Sequence, residues 1–502
     1  MNAAAPGAPI GLRASGAEGT PVPLSTTSLA DYTATELLDL YRSGQASPVE
    51  ATKAVLARIA ELDDRLNAFC VVDAEQALAS ARESEARWQA GAPADILDGV
   101  PVSIKDLLLT RGWPTLRGSR TIDPRQTWDV DAPVSARLRE AGAVVFGKTN
   151  TPEFGIKGTT DSLLTGVTRN PWNTKMTPGG SSGGAAAAVA SGMGPVAIGT
   201  DGAGSVRIPS SFCGIPAIKP SFGRVPAFPL SPMGTVAHIG PHARSVEDLA
   251  LLLTVMSRPD ARDWTSLPYD PRDYRQDLSA GVRGLRVAFS PDLGYVKGVD
   301  PEVAAAVRTA ADSFTALGAQ VDEVVPGFAN PEEITTKLWF VGSLTLIHNM
   351  TPQQVALTDP ALRWQAEEGR KVSVLELQRL VARRGELGSL MRQFHQRYDL
   401  LLTPGVAVPA FEAKAPDQWE LSVESFLGWT PFSYPFNLTQ QPAAVVPCGS
   451  TRLGLPIALQ IVGPMHADAL VLRAARAYET TRAWKLPVVP QTTRRSSART
   501  AG

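Results

Sequence analysis

The sequence predicts a large α/β domain that carries a helical insertion, and three observations predict it. Short apolar runs suited to buried strands alternate with amphipathic helices between residues 99 and 201. A long stretch from about residue 300 to 398 reads as mainly helical, and strand-like runs return from residue 400 onward; alternation of this kind builds parallel βαβ units. The chain has 502 residues, 44% hydrophobic and 19% charged, which is an ordinary globular composition with ample material for a core.

In chain order, "TATE" makes Thr33 an N-cap with Glu36 closing a capping box, and Gly44 is placed to end that helix. "SPVE" repeats the device with Ser47, Pro48 and Glu50, and Ala51, Val55, Ile59 and Leu62 then form a helical stripe. A third helix, rich in Ala and Glu, spans about 74–90. "VPVSIK" is a strand ending on Lys105 and "AGAVVFGK" another ending on Lys148, with the helix "DAPVSARLREAG" between them. "PVAIGTD", "GLRVAFSPD", "LLLTP", "PAAVVP" and "PIALQIVGP" are further strands, and "ADALVLRAARAYE" is a closing helix. The expected division is a disordered leader over 1–28, one domain over 29–485 and a flexible tail over 486–502. Within the domain, 29–95 holds N-terminal helices, 96–250 the core, about 300–398 the insertion, and 399–485 the last strands and helix.

Charge excludes several classes. With 48 Lys+Arg against 49 Asp+Glu there is no basic excess for nucleic acid and no polybasic run for an anionic membrane. No run of about 18 apolar residues offers a membrane span, and the N-terminus lacks the pattern of a signal peptide, so a soluble cytoplasmic protein is expected. Cys70, Cys213 and Cys448 are far apart, odd in number and without metal-ligand spacing, which suits buried, reduced thiols. His238 and His242 lie four apart, but "HIGPH" is a poor helix, so no metal and no cofactor are expected.

The stretch Thr177 to Pro209, "TPGGSSGGAAAAVASGMGPVAIGTDGAGSVRIP", poses the functional question. As a linker it fails, because Ala185–Ala190 is helix-forming and Val196–Ile198 strand-like. As a phosphate loop it has glycines opening a helix. It lacks the Gly-Lys-Ser/Thr of a Walker loop, and "NPWNTKMTP" stands where a dinucleotide fingerprint needs a strand. The block "PGGSSGGAAAAVASG…IGTDGAGSVRIPSSFCGIPAIKP" resembles the signature of the amidase signature family of serine amidohydrolases. "LDGVPVSIKDL", "AGAVVFGKTNTPEFG" and "YPFNLTQQPAAVVPCG…GLPIALQIVGP" resemble other blocks of that family, in its order, from about residue 30 to 480.

The resemblance implies a large, mixed, mostly parallel twisted sheet flanked by helices, and a catalytic triad of Lys105, Ser181 and Ser205. It implies that Ser205 is the nucleophile, that Ser181 adjoins a cis peptide, in the 180–181 or 181–182 bond, and relays the proton, and that Lys105 is the base. A serine hydroxyl needs such a base, and lysine can serve only when neutral, which burial at a strand end would favour. Taken by residue type alone, Lys105 reads as an ordinary surface lysine at a strand end and Lys148, also ending a strand, is the rival base; only the resemblance separates them. Backbone amides of Gly202, Ala203, Gly204 and Ser205 are the implied oxyanion hole. Gly180, Ser182, Thr200, Asp201 and Arg207 read as supporting residues, the last two as an ion pair fixing the loop. Cys213 reads as a core thiol.

The substrate pocket is expected from the loop near Thr151–Thr165, the insertion around Trp339–Asn349 and the segment before Tyr434. Phe154, Trp339, Phe340, Trp429 and Phe432 are the aromatic candidates to line it. No arginine stands out as a carboxylate clamp, which favours neutral, apolar amides or anilides. Carbamates, esters and the role of the A-subunit in a glutamyl-tRNA amidotransferase are alternatives. The expected partner is a small-molecule amide, with the chain a monomer or homodimer.

Overall fold

In the computed structural model, which describes residues 28–483 and Pro487, eleven of the strands join one sheet. The expected leader and tail lie outside the described residues, apart from Ser28 and Pro487. In chain order the strands are β1 (Phe69–Val72), β2 (Pro101–Lys105), β3 (Val144–Thr149), β4 (Asp161–Ser162), β5 (Gly166–Val167), β6 (Val196–Asp201) and β7 (Ala217–Lys219). Then follow β8 (His238–Ala243), β9 (Arg286–Phe289), β10 (Gln320–Glu323), β11 (Leu400–Pro404), β12 (Ala443–Ser450) and β13 (Pro456–Val462). β4 and β5 pair only with each other; the large sheet has the order β1-β3-β2-β6-β8-β7-β12-β13-β11-β9-β10.

The sheet is mixed, as expected, and helices flank it. β3, β2 and β6 run parallel, as do β11, β9 and β10. The central strands β6, β8, β7, β12, β13 and β11 pair antiparallel, as does the edge β1 with β3. The parallel share is therefore smaller than the βαβ rhythm implied. The strands responsible are β1, β7 and β8, which the sequence did not announce, and the β12–β13 hairpin.

Local signals act where they were read. Thr33 and Ser47 each form a reciprocal capping box, and the first helix runs Ala34–Arg42 with Gly44 beyond it at φ 69°. The helix Gly183–Ala190 is wholly buried. Its alanines let it sit close to Ala197, Cys213 and Ile215. The region expected to be helical from about 300 also contains β10, and the helix Pro301–Ala316 packs over the sheet cluster through Val303, Val307 and Phe314. The insertion proper is the group Glu332–Ile347, Pro352–Ala356, Pro360–Arg370 and Val374–Phe394. "HIGPH" is a strand, β8, because β6 and β7 supply hydrogen-bonding partners on both of its sides.

Candidate active site

Lys105 closes β2, a strand buried along its whole length. β3 and β6 run parallel to it, so three carboxyl ends share one edge, which is where open α/β sheets present their sites. Register pairs Ile104 with Ile198, and this brings Thr200 beside the lysine. Lys105 Nζ stands 2.7 Å from Ser181 Oγ, 2.9 Å from Ser182 Oγ and 2.9 Å from Thr200 Oγ1. No carboxylate lies within ion-pair distance of it among the described residues. Burial lowers its pKa well below that of an ordinary lysine, against a weaker opposing pull from Asp201.

Proton accounting orients this cluster. The Ser182 hydroxyl donates to the Thr200 carbonyl (3.1 Å) and accepts from the Thr200 N–H (3.2 Å), so toward Lys105 it can only accept. Thr200 Oγ1 has no other partner among the described residues, so its hydroxyl can accept or donate there. A neutral amine has two N–H groups and one lone pair. One N–H is committed to Ser182, which leaves the second N–H and the lone pair for the hydroxyls of Thr200 and Ser181. Thus Ser182, expected only to support the loop, constrains the rotation of the lysine amine, and Thr200 touches the same nitrogen.

The loop before the helix Gly183–Ala190 is built for close approach. A Cβ on Gly180 would stand 2.4 Å from the Thr159 carbonyl oxygen, a distance no side chain tolerates. Gly179 adopts φ 77°, and the Gly180–Ser181 peptide is cis, as the resemblance implied. Ser205 lies after β6; its Oγ makes no hydrogen bond among the described residues, and it lines the same cavity as Ser181.

Asp201 and Arg207 form the expected ion pair, both fully buried, with Nε–Oδ2 at 2.9 Å and Nη2–Oδ1 at 3.0 Å. Arg207 also donates to the Ser433 carbonyl, Gln460 and Asn437. Burial alone would raise the Asp201 carboxyl, but Arg207 outweighs it and holds the pKa below the usual range. Asp201 also accepts from the N–H groups of Gly204 (2.7 Å), Val206 and Arg207. This corrects one expectation: the Gly204 amide is already spent on Asp201 and cannot serve an oxyanion. The amides of Gly202, Ala203 and Ser205 have no partner among the described residues.

Ser205 touches two cavities. The larger, of about 350 Å³, is lined by Ser181, Phe154, Trp339, Leu107, Phe222 and Met233 among others. The smaller, of about 20 Å³, is lined by Ala203, Ile156, Trp339, Leu427 and Thr430, and not by Ser181. Trp339 reaches from the insertion to within van der Waals reach of Gly202. Three aromatic expectations are corrected. Phe432 is fully buried in a core cluster with Leu401 and Phe436, where strand packing claims it. Phe340 packs edge-on against Trp364, and Trp429 lines a separate small cavity with Trp364 and Trp419. Sequence reading missed the wall formed by 221–235, the rim residue Trp264, and Arg117. The segment "SFGRVPAFPLSPMG" carried a signal, a long aperiodic loop of Pro, Gly and Ser joining two strands; Arg117 carried none.

The rival groups are occupied elsewhere. Lys148 is buried and ion-paired to Asp106 at 2.8 Å. Cys213 is a core thiol whose pKa burial raises. His242 shares a hydrogen bond with Ser210, and burial pushes its pKa down to about 3. Among the described residues no group of three or more His, Cys, Asp or Glu side chains could hold a metal, and no helix is long and apolar enough to cross a membrane.

Residues 50–472 match the Amidase family. The chain belongs to that family. It is an amide-hydrolysing enzyme whose relatives extend over nearly its whole length. It is 39% identical to an acylamidase of Rhodococcus erythropolis over 458 residues, which is 90% of this chain and 95% of the relative. It is 38% identical to the A-subunit of the glutamyl-tRNA(Gln) amidotransferase of Myxococcus xanthus, covering 90% and 97%. Among solved structures, a bacterial aryl acylamidase of the amidase signature enzymes superposes with a TM-score of 0.83 at 31% identity, covering 89% of this chain and 96% of that one. A 6-aminohexanoate cyclic dimer hydrolase superposes with a TM-score of 0.82 at 31% identity, covering 92% and 100%.

Proposed function

We propose that this amidase cleaves a small acyl group from a bulky, largely apolar amine, an anilide being the simplest case, through an acyl-serine intermediate. The observation that carries the reading is the buried Lys105, its pKa lowered by burial, with its amine 2.7 Å from Ser181 Oγ and no carboxylate within ion-pair distance among the described residues. Ser181 takes the proton of Ser205 as it passes its own to Lys105, and Ser205 Oγ attacks the amide carbon. The amides of Gly202, Ala203 and Ser205 receive the oxyanion, each such donor being worth about 10²–10³ in rate. When the C–N bond breaks, the departing amine takes a proton from Ser181, which Lys105 replenishes. Water then attacks the ester, releasing the carboxylic acid and restoring the Ser205 hydroxyl. Of these two cavities Ser181 lines the larger, so the amine it protonates lies there and the acyl group lies in the smaller slot, whose narrowness favours a short acyl chain.

The acylamidase and aryl acylamidase relatives agree with this substrate class. The Myxococcus relative favours a second reading, one component of an amidotransferase, which requires partner chains. The test compares the purified chain with Ser205→Ala on acetanilide, hexanoyl anilide, an aryl carbamate and glutamine. Turnover of acetanilide above hexanoyl anilide, lost in the variant, is the expected result. Activity that survives in Ser205→Ala overturns the nucleophile. Inactivity of the isolated chain on every amide favours the amidotransferase reading.

A further inference from the structure

The larger cavity holds one charge that forms no hydrogen bond or ion pair among the described residues. Arg117 lines it together with Ser181 and Ser205. Its side chain is half-buried and makes no hydrogen bond or ion pair among the described residues. The other charged or titratable groups of the lining are accounted for. Asp263 accepts from the Ala227 N–H and from both the N–H and the hydroxyl of Thr265. His238 is hydrogen-bonded through Nδ1 to the Val236 carbonyl, and burial lowers its pKa well below the ordinary value. Asp106 acts on Arg117 through space but is ion-paired to Lys148. Leu107, Leu108 and Phe154 are apolar members of the same lining.

An unpaired cation in such surroundings is unfavourable, and burial lowers the Arg117 pKa. The backbone nonetheless holds it there at φ 54°, a conformation non-glycine residues seldom adopt. The Arg117 carbonyl accepts from the Phe154 N–H at 2.8 Å. Phe154 precedes Gly155, where a Cβ would stand 3.2 Å from Ser181 Oγ. Arg117 thus belongs to the wall on the Ser181 side.

We propose that Arg117 makes the site selective for amides whose leaving amine carries a carboxylate, which the planar guanidinium engages through paired, charge-assisted hydrogen bonds. This rests on the placement of the leaving amine given above, and it revises the expectation that no arginine addresses the substrate. The apolar wall remains suited to the body of an aryl amine, and the charge selects its substituent.

The experiment uses 2-, 3- and 4-acetamidobenzoate and their methyl esters, with kcat/KM for hydrolysis and calorimetric binding to Ser205→Ala as two readouts. The binding measurement needs no turnover, so failure of anilide hydrolysis and failure of this proposal are separable. At one ring position or more the acid is expected to exceed its ester by about tenfold or more. Arg117→Asn, chosen because Asn tolerates positive φ, brings that ratio to about one, and Arg117→Lys restores part of it. A wild-type ratio at or below one, or a preference retained in Arg117→Asn, overturns the proposal. So does a loss in Arg117→Asn that falls equally on acid and ester, since that is what a merely structural role predicts.

Discussion

Replacing Arg207 with Met removes the guanidinium that neutralises Asp201 in the fully buried loop beneath Ser205. Methionine fills much of the volume, so the cost is electrostatic. Deleting one partner of a buried ion pair typically costs about 3–5 kcal/mol. Three further acceptors, the Ser433 carbonyl, Gln460 Oε1 and Asn437 Oδ1, lose a donor as well. The side chains of Gln460 and Asn437 have hydrogen bonds of their own to Thr403, Phe432, Asp201 and Val236 that resist rearrangement. A loss of about 4 kcal/mol or more is expected, a large part of the 5–15 kcal/mol that typical domains possess. Urea unfolding followed by tryptophan fluorescence measures it. The double variant Asp201→Asn/Arg207→Met should be less destabilised than the sum of its singles by about 2 kcal/mol or more. Because Asp201 is held below its ordinary value of 3.8, the pair's contribution is present above that pH and is lost as pH falls through the folded value. The gap between wild type and Arg207→Met should therefore close in acid. A single-variant loss below about 1 kcal/mol, or an additive cycle, would refute the reasoning.

Lys105→Met should lower kcat by about 10²–10⁴ or more yet raise stability at neutral pH. The wild-type lysine is protonated when unfolded and deprotonation is favoured when folded, so its contribution to stability rises with pH between the two pKa values; a less stable Lys105→Met at pH 7 would contradict this. Gly180→Ala pushes a methyl onto the Thr159 carbonyl and should cost about 1–3 kcal/mol with loss of activity, seen by thermal unfolding and an anilide assay. Glu153 is buried near the loop, and burial raises its pKa from 4.5 to about 7. Its contribution is fully present below pH 4.5 and should decline by about 3 kcal/mol as pH rises through 7. Glu153→Gln can still accept from Asp359 N–H and hydrogen-bond Ser119, so a flatter stability–pH curve is expected, and an unchanged slope would count against it.

The relation between local and distant information shows in particular residues. Capping boxes at Thr33 and Ser47, the buried strand ending on Lys105 and the alanine helix after Ser182 each depend on neighbours within a few positions, and each was legible. β10 was not, because "QVDE" is a polar edge strand whose single neighbour, β9, supplies its pairing. Phe432 and Trp339 illustrate the same divide, two large aromatics of which one is claimed by the core and the other by the site.

By itself the sequence determined the family resemblance and the βαβ frame, and it singled out Lys105, Ser181 and Ser205 as candidates, since those rest on local pattern and on motif order. Tertiary structure alone decided that Ser182 and Thr200 stand within hydrogen-bond reach of the Lys105 amine and that the Gly204 N–H is spent on Asp201. It alone brought Arg117 into the cavity. The reason is physical: hydrogen-bond allocation and burial depend on which atoms the sheet register and the insertion bring within about 3 Å, and residues far apart in the chain carry no mark of that meeting.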